Sequence, residues 1–199
     1  MTEVKFFNRW SAEGIGVDDA GLADYITLQP KIIPKTGARY AGDRFHKSNT
    51  FIVERLASKL MSTGHKGKKH FISSGHNTGK KSKALEVVEQ SLAIVEKKIN
   101  KNPLAVLVKA IENAAPREEV IAVEYGGARY PKAVDISPQR RVDLALRAMT
   151  QGAYLRSFNK KNKIEDALAE EIISAYHTSA KSNAVAKKRD LERQAASSK

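Results

Sequence analysis

Residues Gly64–Lys81, GHKGKKHFISSGHNTGKK, gather the side chains of this chain best placed to do chemistry: four glycines, three histidines and five lysines. No carboxylate lies between Glu54 and Glu86. Three chemistries suit that mix: a phosphate-cradling nucleotide loop, a histidine metal site, or a surface that grips a polyanion. A nucleotide loop needs G-x-x-x-x-G-K-[ST] between a strand and a helix, so that backbone N–H groups wrap the phosphates. Gly75 and Gly79 stand one residue too close, and Lys81 occupies the place of the magnesium-binding hydroxyl. His65, His70 and His76 are five and six residues apart, a spacing that sets no two on one helix face. The lysines around them oppose a divalent cation. Elsewhere Glu165, Asp166, Glu170 and Glu171 border an apolar helical stripe and read as a solvated face. No nucleophile–base or H-E-x-x-H pattern is present. The sequence therefore predicts no enzyme, no metal and no cofactor, and leaves the polyanion.

Charge along the chain favours that reading. Of 199 residues, 35 are Lys or Arg and 22 are Asp or Glu, for a net charge of +13. Residues 1–30 carry two bases and five acids, residues 31–83 thirteen bases and two acids, and residues 84–199 twenty bases and fifteen acids. Most of the excess lies in one quarter of the sequence. Such a concentration repels itself unless a polyanion is near, and nucleic acid is the usual one. Hydrophobic content of 41% suffices for a core, and the absence of cysteine excludes disulfides and thiolate zinc sites. With no apolar run long enough for a signal peptide or a membrane span, the chain reads as a soluble intracellular protein.

The elements that must position these residues are mainly helical. Residues 1–45 are broken by Gly14, Gly16, Gly21, Pro30, Pro34, Gly37 and Gly42, and read as an irregular arm that docks through Phe6, Phe7 and Trp10. A helix from Ser48 shows an apolar face and a basic face with Arg55 and Lys59. Another spans 82–100, with Leu85, Val88, Leu92, Val95 and Ile99 on one stripe. Asn102-Pro103 caps and opens a third, with Leu104, Leu107, Val108 and Ile111 inward. Residues 119–136 change to period two around Gly126-Gly127, a hairpin signal, and Pro131 marks a free or edge ribbon. Ser137-Pro138 opens a helix to about Gly152, with Val142, Ala145 and Met149 inward. Helices at 164–176 and 183–199 follow, the last one basic. The expected fold is mainly α: six helical segments in one domain with a protruding β-hairpin. Residues 1–47 form the arm and 48–199 the nucleic-acid-binding body.

Within that frame the candidate contacts are lysines and arginines near flexible glycines and helix starts. Lys66, Lys68, Lys69, Lys80 and Lys81 are expected to meet phosphate. Arg140 and Arg141 sit in the first turns of a helix, whose dipole also favours phosphate, and Arg147 follows two turns later. Arg129 lies between Tyr125 and Tyr130 at the hairpin tip. Those rings either stack on unpaired bases, which points to RNA, or form a cross-strand packing pair. A helical DNA-binding or chromatin protein is the competing reading.

Several ordered motifs resemble one family. TGKKSKALEVVEQSL, NPLAVLVKAIENAAPRE, YGGARY…AVDISPQRRVDLAL and NAVAKKRDLERQAASS are similar to the universal small-subunit ribosomal protein seven. FFNRWS and RYAGDRFHKSNTFIVERL resemble the extension of its archaeal and eukaryotic branch. The resemblance implies a helical fold with a projecting hairpin. It implies a cytoplasmic, primary 16S rRNA-binding protein that binds the 3′ major domain and helps nucleate the small-subunit head, beside neighbouring head and platform proteins. It gives Gly126, Gly127, Ala128, Arg129 and Tyr130 a position near the exit-site tRNA and the mRNA exit path. It gives rRNA-gripping roles to Lys80, Lys81, Arg140 and Arg141, and to Lys187, Lys188 and Arg189 of the last helix. The loop STGHKGKKHFISSGH is longer than the bacterial pattern, so roles for Lys66, Lys68 and Lys69 rest on charge.

Overall fold

The structure, a computed structural model, describes residues 4–37, 39, 41–66 and 69–199. Among these, seven helices and two short antiparallel ribbons follow in order: α1 (Ala20–Ala23), α2 (Ile52–Met61), β1 (His65–Lys66), β2 (Lys69–His70), α3 (Lys81–Ile99), α4 (Pro103–Ala114), β3 (Glu118–Tyr125), β4 (Ala128–Asp135), α5 (Pro138–Ser157), α6 (Ile164–Tyr176) and α7 (Asn183–Ala196). The fold is mainly α with a β-hairpin, as the periodicities predict.

Helix α6 sits at the centre, against α3, α4 and α5. Its Ala167, Leu168, Ala169, Ile172 and Ala175 have no exposed surface, because small residues let three neighbours approach one helix. The α3 stripe packs here too, with Val88, Leu92 and Val95 fully buried. Asn102 caps α4 as its sequence predicts: its Oδ1 accepts the Leu104 N–H at 3.0 Å. Asn100, in the left-handed region at φ 55°, turns the chain out of α3.

Several expectations are corrected. The arm is not irregular throughout: it contains α1, capped by Asp19, whose side chain accepts from the Gly21 N–H. Phe6 and Trp10 do dock as expected, and what they dock on is the chain's own core, with Phe6 meeting Phe51 edge-on at 5.6 Å between ring centres. The helix expected from Ser48 starts at Ile52, and Arg55 faces inward, its Nη1 donating to the Tyr25 carbonyl at 2.7 Å. A basic face was expected there because an arginine looks solvated in one dimension; the folded-back arm covers it. Finally, α5 passes Gly152 and ends at Ser157. A Cβ at Gly152 would lie 2.9 Å from both Asn183 Cβ and Glu171 Cδ. This glycine is a close-approach point between helices rather than a terminator. Glu171 is accordingly buried, not on a solvated face.

The hairpin pairs Glu118 with Asp135 through Tyr125 with Ala128, and places Pro131 opposite Ala122. With no third strand beside it among the described residues, the missing Pro131 N–H costs the ribbon little. Gly126 and Gly127 both have positive φ, 59° and 81°, which a two-residue hairpin turn requires. Both strands are exposed over the outer five residue pairs, a projection of about 17 Å at ~3.4 Å per residue. At its base the hairpin leans on α7, and Lys199, just past the end of that helix, pairs with Glu118 at 2.8 Å.

Candidate nucleic-acid interface

The segment 64–81 splits into two parts. Up to Asn77 its described residues form a loop folded back on α5. Gln151 Nε2 donates to the His65 carbonyl at 3.0 Å, and Ser73 bonds the Tyr154 hydroxyl. Ser74 Oγ donates to the Gly64 carbonyl at 2.6 Å. Gly64 has φ 91°, and a Cβ there would crowd the Ser74 backbone at 3.1 Å. His65 and His70 face each other across the β1–β2 ribbon, Nδ1 to Nδ1 at 2.9 Å. No metal-binding cluster of three or more ligands occurs among the described residues. Of the lysines expected here, Lys68 lies outside the described residues, and Lys66 and Lys69 are described by their backbone alone.

The second part launches α3, and its two lysines diverge. Lys80 is the exposed N-cap residue of the helix. Lys81 turns inward and pairs with Glu54, whose side chain is 1% exposed. Glu54 also accepts the Thr36 N–H at 2.9 Å, so one buried carboxylate ties arm, α2 and α3 together.

Arg140 and Arg141 diverge in the same way. Arg141 is buried: it donates to Asp19 Oδ2 at 2.8 Å and to the Pro116 carbonyl at 3.1 Å. Burial raises the Asp19 carboxyl, but Arg141 and the Gly21 N–H outweigh it and hold the group below the ordinary value. Arg140 is exposed and grips Glu119 with two bonds of 2.7 and 2.9 Å, joining α5 to the hairpin base. That pairing lifts the Arg140 guanidinium further above its usual range. In α7, Lys188 donates to the Asn113 carbonyl at 3.0 Å, and burial lowers its ammonium from the ordinary value. Arg189 donates to the Thr178 carbonyl at 3.2 Å, and Lys187 is exposed.

Folding assembles a cluster that the sequence reading did not gather. Lys47, Lys59, Arg140 and Arg147 line a cleft of about 320 Å³ with Ser137, Gln139 and Asp143. Asp143 meets Lys47 at 3.1 Å, Arg55 at 3.4 Å and Lys59 at 3.6 Å. Burial lowers the Lys59 ammonium; Asp143 pulls it back up, and the charges of Lys47 and Arg147 push it down again. The cations thus outnumber their carboxylate and repel one another. Only the Arg140–Arg147 spacing along α5 was visible beforehand; Lys47 and Lys59 arrive from other parts of the chain.

At the hairpin tip, Tyr125 lies opposite Ala128 and Tyr130 opposite Val123, so the tyrosines are not a direct cross-strand pair. Tyr125 is 81% and Tyr130 58% exposed. Residues directly opposite share a face, which sets both tyrosines on one face with Val123 and Ile121. Arg129 sits on the other face, 3.5 Å from Glu124. The guanidinium and the rings therefore cannot stack on the same base from one side.

A helical body, an overcharged cationic cleft and a projecting ribbon define a class of protein: a helical module built to meet a polyanion. A family model described as ribosomal protein S7p/S5e matches residues 22–199. The small ribosomal subunit protein uS7 of Nanoarchaeum equitans is 54% identical over 197 residues, covering 99% of this chain and 100% of that protein. Its counterpart from Archaeoglobus fulgidus is 44% identical over 197 residues, covering 99% of this chain and 96% of the relative. The chain belongs to the ribosomal protein S7p/S5e family, whose members are structural rather than catalytic.

Proposed function

We propose that this chain is a structural constituent of the small ribosomal subunit in the cytoplasm. It binds 16S rRNA directly, in the 3′ major domain, and helps nucleate assembly of the head. The observation that supports this reading best is the cleft at the start of α5, where Lys47, Lys59 and Arg147 share a lining with one carboxylate, Asp143, and Arg140 stands beside them paired with Glu119. A phosphate run relieves their mutual repulsion and releases counterions, which gives salt-dependent binding. Lys80 at the start of α3 extends the surface, as do Lys66, Lys68 and Lys69 and the α7 residues Lys187, Lys188 and Arg189. Lys81 and Arg141 contribute by holding α3, α5 and the arm in place, since their charges are committed inside the protein. The hairpin tip, Gly126 to Tyr130, reaches toward the exit-site tRNA and the mRNA exit path, and presents rings on one face and Arg129 on the other. In the division between arm (residues 1–47) and body (48–199), Asp18 and Asp19 cover Lys109 and Arg141. Neighbouring head and platform proteins complete the surroundings.

The test is competition between a folded 3′-major-domain rRNA fragment and duplex DNA of equal charge at matched salt. The rRNA should be selected, and Arg147→Ala should lower the salt slope by about one unit. Equal affinity for both nucleic acids would favour a DNA-binding or chromatin role instead.

A further inference from the structure

A second cavity lies apart from the cationic cleft, between the loop 62–80 and the helices α2, α3 and α5. It measures about 530 Å³, within the range of ligand pockets. Leu60, Met61, Val87, Tyr154, Phe158 and Ile164 give it an apolar wall. Ile72 stands at its edge with 95% of its surface exposed, although its loop is pinned to α5 through Ser73 and Gln151. Phe71, Leu155 and Phe158 extend the apolar surface, at 40%, 44% and 45% exposed. Contiguous exposed apolar surface of this kind marks an interaction site. The charged residues in its lining are of one sign, Lys80 and Lys83, and no carboxylate joins them. Neither lysine has an ion-pair partner among the described residues.

We propose that this pocket docks an acidic protein segment, inserting one large apolar side chain while flanking carboxylates meet Lys80 and Lys83. Two features favour protein over an extruded RNA base. A base carries hydrogen-bonding edges all round; Leu60, Met61, Val87 and Ile164 offer them nothing, and the polar lining residues Thr63, Ser73, His76 and Ser157 already bond within the protein. An aliphatic or phenyl side chain leaves nothing unpaired there. The rim charge then selects for acids beside the anchor, as a charged rim around an apolar centre does in protein interfaces. The occupant is a neighbour in the assembly, which rests on the proposed place in the small subunit; the site is separate from the cleft at the start of α5 and shares Lys80 with the proposed rRNA surface, so its test rests on Ile72 and Lys83.

The test uses the full-length chain and three fluorescein-labelled probes of equal length. One is a peptide with a central leucine flanked by glutamates, one has lysines in place of the glutamates, and one is oligouridylate. Fluorescence anisotropy should show saturable binding of the acidic peptide and none of the lysine peptide. Ile72→Ser and Lys83→Glu should each weaken the acidic peptide at least tenfold while leaving the circular dichroism spectrum and rRNA-fragment binding unchanged. Both residues are exposed, so neither change should unfold the chain. Equal binding of the two peptides, or indifference to Ile72→Ser, would overturn the proposal. So would oligouridylate binding that Ile72→Ser abolishes, which would give the pocket to RNA. Failure of the parent chain to bind the acidic peptide, with rRNA selection intact, defeats this proposal alone; peptide binding without rRNA selection defeats only the rRNA reading.

Discussion

The starts of α3 and α5 each carry a pair of adjacent cations, Lys80–Lys81 and Arg140–Arg141, and each pair splits. Neighbours on a helix differ by about 100° in direction, so one turns toward the core when the other faces solvent. The inward members take carboxylates from distant segments: Lys81 takes Glu54 and Arg141 takes Asp19. The outward members differ. Lys80 has no ion-pair partner among the described residues, whereas Arg140 is held by both oxygens of Glu119. The α3 start therefore presents a point charge with no ion pair among the described residues, and the α5 start a guanidinium tied to the hairpin. A count of basic residues overstates the proposed nucleic-acid surface at both sites, because half of each pair is committed inside the protein.

The largest expected effect comes from the inward lysine. Lys81→Ala strands the buried Glu54 carboxylate and should cost about 3 kcal/mol, near 9 °C of melting temperature for a chain of this size. Thr36 still bonds Glu54, which keeps the loss from being larger. Lys80→Ala should stay within about 0.5 kcal/mol of the parent. It should instead lower the salt slope of rRNA binding by about one unit. Thermal unfolding and salt titration of the two variants separate the roles, and equal stabilities would break the comparison.

The arginine pair should follow with a smaller gap. Arg141→Ala removes the Asp19 bond and the Pro116 carbonyl bond from a buried side chain, and should cost about 2 kcal/mol. Arg141→Lys should recover little, since an ammonium cannot span both acceptors in the same fork. Arg140→Ala, removing an exposed pair, should cost below about 1 kcal/mol. Urea unfolding of Arg141→Ala, Asp19→Ala and the double variant would show a coupling energy for the inward arginine.

Much of this fold was legible in the sequence. The stripes of α3, α4 and α6, the Asn102 cap and the Gly126-Gly127 turn are local signals, set by helical or strand period and by backbone preference. What stayed hidden depends on chain segments far apart in sequence. Arg55 looks solvated until the arm folds over it. Gly152 looks like a helix end until α7 arrives within Cβ distance. Lys81 and Arg141 look like phosphate contacts until Glu54 and Asp19 are brought to them. Lys47 and Lys59 belong to the α5 cleft only because α2 packs on α5. Charge signals where a polyanion binds; folding decides which charges remain to bind it.

The smallest expected effect concerns the acids at these sites, and it tests the comparison through sign. Burial raises the Asp143 carboxyl, but Lys59, Lys47 and Arg55 outweigh it and leave the group below its ordinary value. A carboxylate depressed by folding stabilises the protein above its unfolded-state pKa, about 3.9, and that contribution fades as pH falls through the folded value. Asp19, held down by Arg141, behaves alike. Glu171 is opposite. Burial raises it more than the Ala184 N–H, Ser182 and Arg156 lower it. Its contribution is fullest below its unfolded-state pKa, about 4.3, and is lost as pH rises through the folded value. Urea unfolding from pH 2 to pH 7 should therefore show Asp143→Asn losing less stability than the parent on the acid side. Glu171→Gln should lose less as pH rises above about 4.3. If both variants flattened the same limb, the opposition between a carboxylate serving surface cations and one buried behind them would fail.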